Sequence, residues 1–297
     1  MSQKSKTDPK YPLFIVSKGR HESRLTARAL DAMHVAYRVV IEEQEFDAYA
    51  SVIDPARLLI LPEKYFDEYD VCDDLGRTKS TGPGAARNFV WDTAQAEGHA
   101  RHWVMDDNIR AFYRFNRNRK YRALTGGFWR AMEDFCDRYS NVAMAGPNYE
   151  MFAPRRNKVT PFVMNTRIYS CNLISTSAPY RWRGRYNEDT DLSLRMLKDG
   201  WCTIQFNAML QKKVRTQTIK GGNTAEFYAN EGTHPKSQMQ VDLHPDVSKI
   251  VWRFGRVHHH VDYSPFKGNR LKRIKQATIG EAVNNYGMKL RRVQSEE

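Results

Sequence analysis

Asp106, Asp107 and Asn108 end a short apolar run, His102-Trp103-Val104-Met105. A buried strand that stops in carboxylates can hold a hard cation, because magnesium or manganese takes oxygen ligands and shares them with phosphates. In α/β sheets, ligands gather at the C-terminal ends of strands. The same residues also suit a plain turn after a strand. A second acidic group, Glu188, Asp189 and Asp191, falls within four positions just ahead of Leu192-Ser193-Leu194-Arg195-Met196-Leu197. Acids there complement a helix N-terminus, and a carboxylate so placed can also act as a general base on a hydroxyl.

The elements that would position these groups alternate. Leu13-Phe14-Ile15-Val16 reads as a strand running into the polar loop Ser17-Lys18-Gly19-Arg20. A helix is expected over 22–34, with Leu25, Ala29, Leu30 and Met33 on one face. Strands at 37–41 and 57–61 flank a short helix at 45–52, and residues 63–82 read as loop. Pro83 opens a helix over 84–97, and the strand at 103–105 follows. This alternation predicts an α/β fold with a mostly parallel central sheet covered on both faces. Further on, a helix at 127–139, a strand at 142–145, an extended stretch at 160–175, a helix at 190–199 and a strand at 201–206 are expected.

With 297 residues, one large domain with appendages or two small ones fit the length. Hydrophobic residues make up 41%, enough for a core and too many for wholesale disorder. The formal charge of +13 favours polyanionic partners: nucleic acid, an anionic membrane or a phosphorylated substrate. Cys72, Cys136, Cys171 and Cys202 are too scattered for metal-ligand spacing, which suits a reduced, cytoplasmic protein. No stretch approaches the ~20 apolar residues of a membrane span.

The order of motifs is more specific than any one of them. A parallel α/β half leads to Gly82-Pro83-Gly84-Ala85-Ala86-Arg87-Asn88, then to Asp106-Asp107-Asn108. Glu188-Asp189-Thr190-Asp191 and Arg195 come later, followed by Gly200-Trp201. Over about 12–207 this resembles the GT-A (Rossmann-like) nucleotide-sugar glycosyltransferases of the family 2 type. The resemblance implies that Ser17, Lys18, Arg20 and Glu42 lie near the uridine of a UDP-sugar, and Arg87 near the ribose or phosphates. Asp106 and Asn108 would hold a manganese or magnesium ion on the diphosphate, with Asp107 near the ribose or metal. Asn108 stands where that family has a second Asp, which leaves less charge for the ion. Asp189 would be the base of an inverting transfer, and Glu188 and Asp191 would orient it or the acceptor. His234, His244 or the His258-His259-His260 run could complete the metal shell, with His258 and His259 preferred.

Residues 110–130 interleave Arg110, Arg114, Arg117, Arg119, Lys120, Arg122 and Arg130 with Phe112, Tyr113, Phe115, Tyr121, Phe128 and Trp129. Cations offset phosphates and aromatics stack on bases; the aromatics can equally be core. Arg181, Trp182, Arg183 and Arg185 repeat the theme beside Asp189 and are expected to orient the acceptor. From 252 onward ten Lys and Arg face four Asp and Glu. The stretch Trp252-Arg253-Phe254-Gly255-Arg256-Val257-His258-His259-His260-Val261-Asp262-Tyr263, with Lys220-Gly221-Gly222-Asn223-Thr224, resembles the TET-associated glycosyltransferases of bacteriophages. This resemblance implies sugar transfer onto 5-hydroxymethylpyrimidines in DNA, 5-hydroxymethylcytosine first among them, in a host cytoplasm. A flexible segment at 1–10 would precede a nucleotide-sugar half (11–110), an acceptor half (111–210) and a basic extension completing the site (211–297). A transferase for a surface glycan or lipid-linked acceptor is the rival enzyme reading. A nucleic-acid-binding module on a degenerate transferase fold is the rival outside enzymes.

Overall fold

The computed structural model describes residues 7–78, 80–153, 159–214, 234–253 and 255–275. The Lys220–Thr224 loop lies outside them. The chain runs β1 (Leu13–Val16), α1 (Leu25–Asp31), β2 (Arg38–Ile41), α2 (Phe46–Ala50), β3 (Leu58–Ile60), α3 (Lys64–Asp67), α4 (Gly84–Ala96) and β4 (Arg101–Asp106). It continues with β5 (Ile109–Asn116), β6 (Arg119–Arg122), α5 (Gly127–Cys136), β7 (Val142–Tyr149), β8 (Phe162–Met164), β9 (Cys171–Ser175), α6 (Glu188–Lys198) and β10 (Cys202–Lys213). After it come α7 (His234–Leu243), β11 (Ser248–Arg253) and β12 (Arg256–Val261).

Ten strands form one sheet in the order β3-β2-β1-β4-β9-β7-β10-β5-β6, with β8 pairing on β10. Strands β3, β2, β1 and β4 pair in parallel, β9 inserts antiparallel between β4 and β7, and β10 pairs in parallel with β7. The fold is thus a Rossmann-like α/β arrangement of the GT-A kind. Helices cover both faces, and the alternation of side chains shows it. Leu13, Ile15, Trp103 and Met105 enter one core cluster with Leu30, Trp129 and Met132. Phe14 and Val104 enter the other, with Val90, Trp91, Leu192 and Met196. A strand with both faces buried needs this near-continuous apolar run.

Several elements differ from expectation. Helix α1 is shorter than 22–34, and residues 63–82 include the short α3. The basic stretch after Asp106 is a β-hairpin, β5–β6, at the sheet edge. Strand β10 runs on to Lys213, well past the expected end at 206. It does so through an irregularity: the NH groups of Asn207 and Ala208 both donate to Pro161 O, and the register on β7 shifts between Phe206 and Leu210. A bulge of this kind bends a strand and re-aims the residues beyond it.

Gly84 opens α4 against Tyr69. A Cβ there would come 1.8 Å from the Tyr69 hydroxyl, an overlap that only glycine avoids. This close approach lets α4 start where Arg87, one turn on, reaches the strand ends.

No helix among the described residues is long and apolar enough to cross a membrane.

Candidate active site

A cleft of about 1490 Å³ opens along the C-terminal ends of β1, β2, β3, β4 and β7. Ligand sites commonly hold ~300–1000 Å³, so this one has room for more than a single small molecule. Asp106, the last residue of β4, lies on its wall between two cations. Arg87 donates from one nitrogen to Asp106 Oδ1 (2.7 Å) and from another to Glu188 Oε1 (2.9 Å). Lys213 Nζ donates to Asp106 Oδ2 (2.6 Å) and to Ser170 Oγ (2.8 Å). Burial alone would raise the Asp106 pKa, but Lys213 and Arg87 hold it well below the usual carboxylate range. Burial works against the charge on Lys213 too, yet Asp106 and Tyr149 beside it raise its pKa. The guanidinium of Arg87 also lies 4.6 Å from the Trp182 ring centroid, a cation–π contact.

The other end of the cleft is built on the loop after β1. Asp107 accepts from Arg20 (2.5 Å) and from Ser17 Oγ (2.8 Å). Ser17 Oγ lies 2.6 Å from the Tyr49 hydroxyl, which also accepts the Arg20 NH (3.1 Å). Burial pushes the Asp107 pKa up despite the Arg20 guanidinium. Its carboxyl therefore braces the loop. Lys18 pairs with Glu42 at 3.0 Å, and both line the cleft. Every residue expected to meet the donor, Ser17, Lys18, Arg20, Glu42, Arg87, Asp106 and Asp107, reaches this one cleft.

Helix α6 supplies the second acidic group. Its start is set by Asn187, a left-handed N-cap at φ 56° whose amide donates to Lys236 O. Glu188 and Asp189 line the cleft. Burial raises the Glu188 pKa, with Arg87 opposing. Asp189 Oδ1 accepts the Thr190 NH at 2.8 Å and the Thr190 hydroxyl at 3.4 Å. Its other oxygen accepts no hydrogen bond among the described residues, so a lone pair is open to an acceptor hydroxyl.

The residues expected to hold a metal also converge here: Asp106, Asn108, His258 and His259 all line the cleft. They do not make a fitting ion site as they stand. Both Asp106 oxygens are engaged by cations. Asn108 Oδ1 is buried without a partner, but it is a neutral donor. Burial, then Lys236 and Arg167, push the His259 pKa down to about 3. Those same cations would repel a dication. Among the described residues no group of three His, Cys, Asp or Glu side chains is placed to hold a metal ion.

With this geometry in view, the family model of the TET-associated glycosyltransferases matches residues 11–222. The chain belongs to that family. No curated protein sequence matches it. This TET-associated glycosyltransferase is therefore a transferase whose family implies a nucleotide-sugar donor.

Several side chains expected to orient the acceptor serve the scaffold of this TET-associated glycosyltransferase. Asp191 is 1% exposed and accepts from Arg183, from Arg195 (2.8 Å) and from His244 Nε2 (2.9 Å). Trp182 is fully covered under Arg87. Arg181 turns away from the cleft to Asp92 on α4 (2.8 Å). Arg185 touches the cleft but is buried, bonded to Asp73, Ser80 O and Gly76 O. Of the expected acceptor group, Glu188 thus remains with its carboxylate beside Asp189. The 110–130 stretch divides similarly. Phe112, Phe128 and Trp129 are core, with rings packed edge-to-face or tilted at 4.7–5.3 Å, and Tyr121 is exposed under Arg114. None of 110–130 lines the cleft.

Other cleft residues carry no motif. Tyr149 at the end of β7 meets Ser170 Oγ (2.7 Å) and stacks on Tyr169, with ring centroids 5.4 Å apart. Arg167 lies over Tyr169, and Phe152, 59% exposed, packs on Tyr149. Together with Lys213 and Lys236 they make an aromatic and basic part of the cleft lining. The run of 160–175 signals only extended chain, so nothing in it marks these side chains.

Proposed function

We propose that this protein moves a sugar from a nucleotide-sugar donor, a UDP-sugar, to the hydroxyl of a 5-hydroxymethylpyrimidine in DNA, with 5-hydroxymethylcytosine the preferred acceptor. The supporting observation is the open oxygen of Asp189 in the same cleft as the Arg87–Asp106 pair. A base and a phosphate-binding cation must face one anomeric carbon for a single displacement, and here both border one space. The nucleoside lies among Ser17, Lys18 and Glu42 at the ends of β1 and β2, and the diphosphate lies toward Arg87. Asp189 takes the proton of the primary alcohol as its oxygen attacks the anomeric carbon. The bond to the diphosphate breaks on the opposite side, so the configuration inverts. Arg87 stabilises charge as it develops on the leaving oxygen.

The acceptor enters on the aromatic and basic wall. Phe152 offers an exposed face for a base, and Arg167 and Lys236 offset phosphate charge. Phe152→Ala is expected to raise the KM for DNA about tenfold, the worth of one base–aromatic stack. The KM for the donor should not change, and steady-state kinetics with each substrate varied in turn checks this.

The transfer itself is tested by incubating the protein with hydroxymethylated and unmodified DNA, several nucleotide sugars and manganese, then weighing the nucleosides by mass spectrometry. A hexose-sized gain confined to the hydroxymethylated nucleoside is expected. No gain with any donor sinks the reading.

A further inference from the structure

Lys213 lines the same cleft as Arg87, Asp106 and Asp189. Its ammonium contacts Asp106 Oδ2 and is steered by Ser170 Oγ, itself hydrogen-bonded to Tyr149. A divalent ion on Asp106 would lie beside both the Lys213 ammonium and the Arg87 guanidinium, which repel it. Arg167 and Lys236 flank the histidine side of the same cleft. Asn108 supplies a carbonyl oxygen where a second carboxylate would be needed to outweigh these charges. Resting on the donor assignment above, we infer that Lys213 is the electrophilic counter-charge of the leaving nucleoside diphosphate, and that sugar transfer proceeds without a divalent ion.

The reaction balances with the groups present. The bond from the anomeric carbon to the phosphate oxygen breaks, and its electron pair stays on that oxygen. The hydroxymethyl oxygen forms the new bond, and its proton passes to Asp189. Lys213 keeps its own protons and exchanges Asp106 for the β-phosphate, while Asp106 holds the ammonium in register before the donor arrives. Ser170 and Tyr149 act as positioning residues for it. The register of β10 on β5 shifts between Lys212 and Lys213, at the residue that reaches Asp106.

The test titrates UDP, with GDP and ADP in parallel, into wild type, Lys213→Met and Lys213→Arg by calorimetry, once with a chelator and once with manganese. Sugar transfer is followed under the same conditions. Wild type should bind one diphosphate and transfer sugar equally well in chelator. Lys213→Met should weaken that binding on the order of tenfold and slow transfer about 100-fold, without rescue by manganese. Lys213→Arg should recover part of both. The inference is overturned if chelator abolishes wild-type transfer and manganese restores it, an arm that does not depend on any variant folding. It is equally overturned if Lys213→Met binds and transfers like wild type, or if no diphosphate binds wild type in chelator. Diphosphate binding in chelator that is lost in Lys213→Met, without transfer to any DNA, supports the Lys213 clamp and removes the DNA acceptor instead.

Discussion

Asp189→Asn should lower kcat by about 1000-fold or more, the upper part of the range for losing a general base. It should leave the melting temperature and UDP affinity unchanged. The amide oxygen can still accept the Thr190 NH that Asp189 Oδ1 accepts now, so the start of α6 keeps its local bond. What disappears is the open oxygen able to take a proton. The measurement is a single-turnover transfer assay beside a thermal melt and a UDP titration of the same preparation. Near-normal turnover would remove Asp189 from the role. A folded variant that has lost UDP binding would assign it to the donor instead.

Two residues on, the expected result is the opposite. Asp191→Asn should cost on the order of 3 kcal/mol of folding stability, because it leaves Arg183, Arg195 and His244 without the buried carboxylate they share. Asp191 is the shared acceptor of Arg183, Arg195 and His244, which belong to the loop before α6, to α6 itself and to the segment after α7. Burial favours its neutral form, but the His244 hydrogen bond, Arg195 and Arg183 hold its pKa below the ordinary value. A carboxyl with a lowered folded pKa contributes stability that is present above its unfolded pKa, about 3.9. That contribution is lost as pH falls through the lower folded value. Urea denaturation of wild type at descending pH should show this loss below about pH 4. Asp191→Asn should be weaker at neutral pH and lack this component of the acid loss. Equal stability of the two proteins at pH 7 would refute the assignment.

This contrast shows where reading a sequence reaches its limit. Asp189 and Asp191 are the same residue type two places apart, and both suit the first turn of a helix. Helical geometry rotates one to the cleft and the other to the interior, where cations from distant segments meet it. Those segments cannot be located without the tertiary fold. The early strands were legible because β1, β2 and β4 are apolar runs buried on both faces and separated by helices. The residues proposed to meet the donor share the cleft as expected because they stand directly at those strand ends. Lys213 was not, because the polar Asn207 and Gln211 interrupt the apolar pattern of β10. Gln211 is nevertheless buried, its amide donating to Pro147 O and Tyr169 O. The arginines at 181–185 misled for a related reason. Their sequence neighbour is Asp189, but their bonding partners are Asp92, Asp191 and Asp73.

The segment after β10 has a consequence for how the protein can be divided. The family match ends at 222, yet Leu194 and Leu197 of α6 are covered by Val247, Val261 and Phe266. Beyond these, the backbone at Lys272 and Ile274 bonds to Ser140 and Arg138, across the end of α5. The described residues between 234 and 275 therefore act as a strap buckled over the back of α6. A protein trimmed to the family's own limits would keep every residue proposed to meet the donor and still expose an apolar stripe on α6, with Asp191 deprived of His244. The contacts of this segment run some fifty residues past the family boundary, to Ile274.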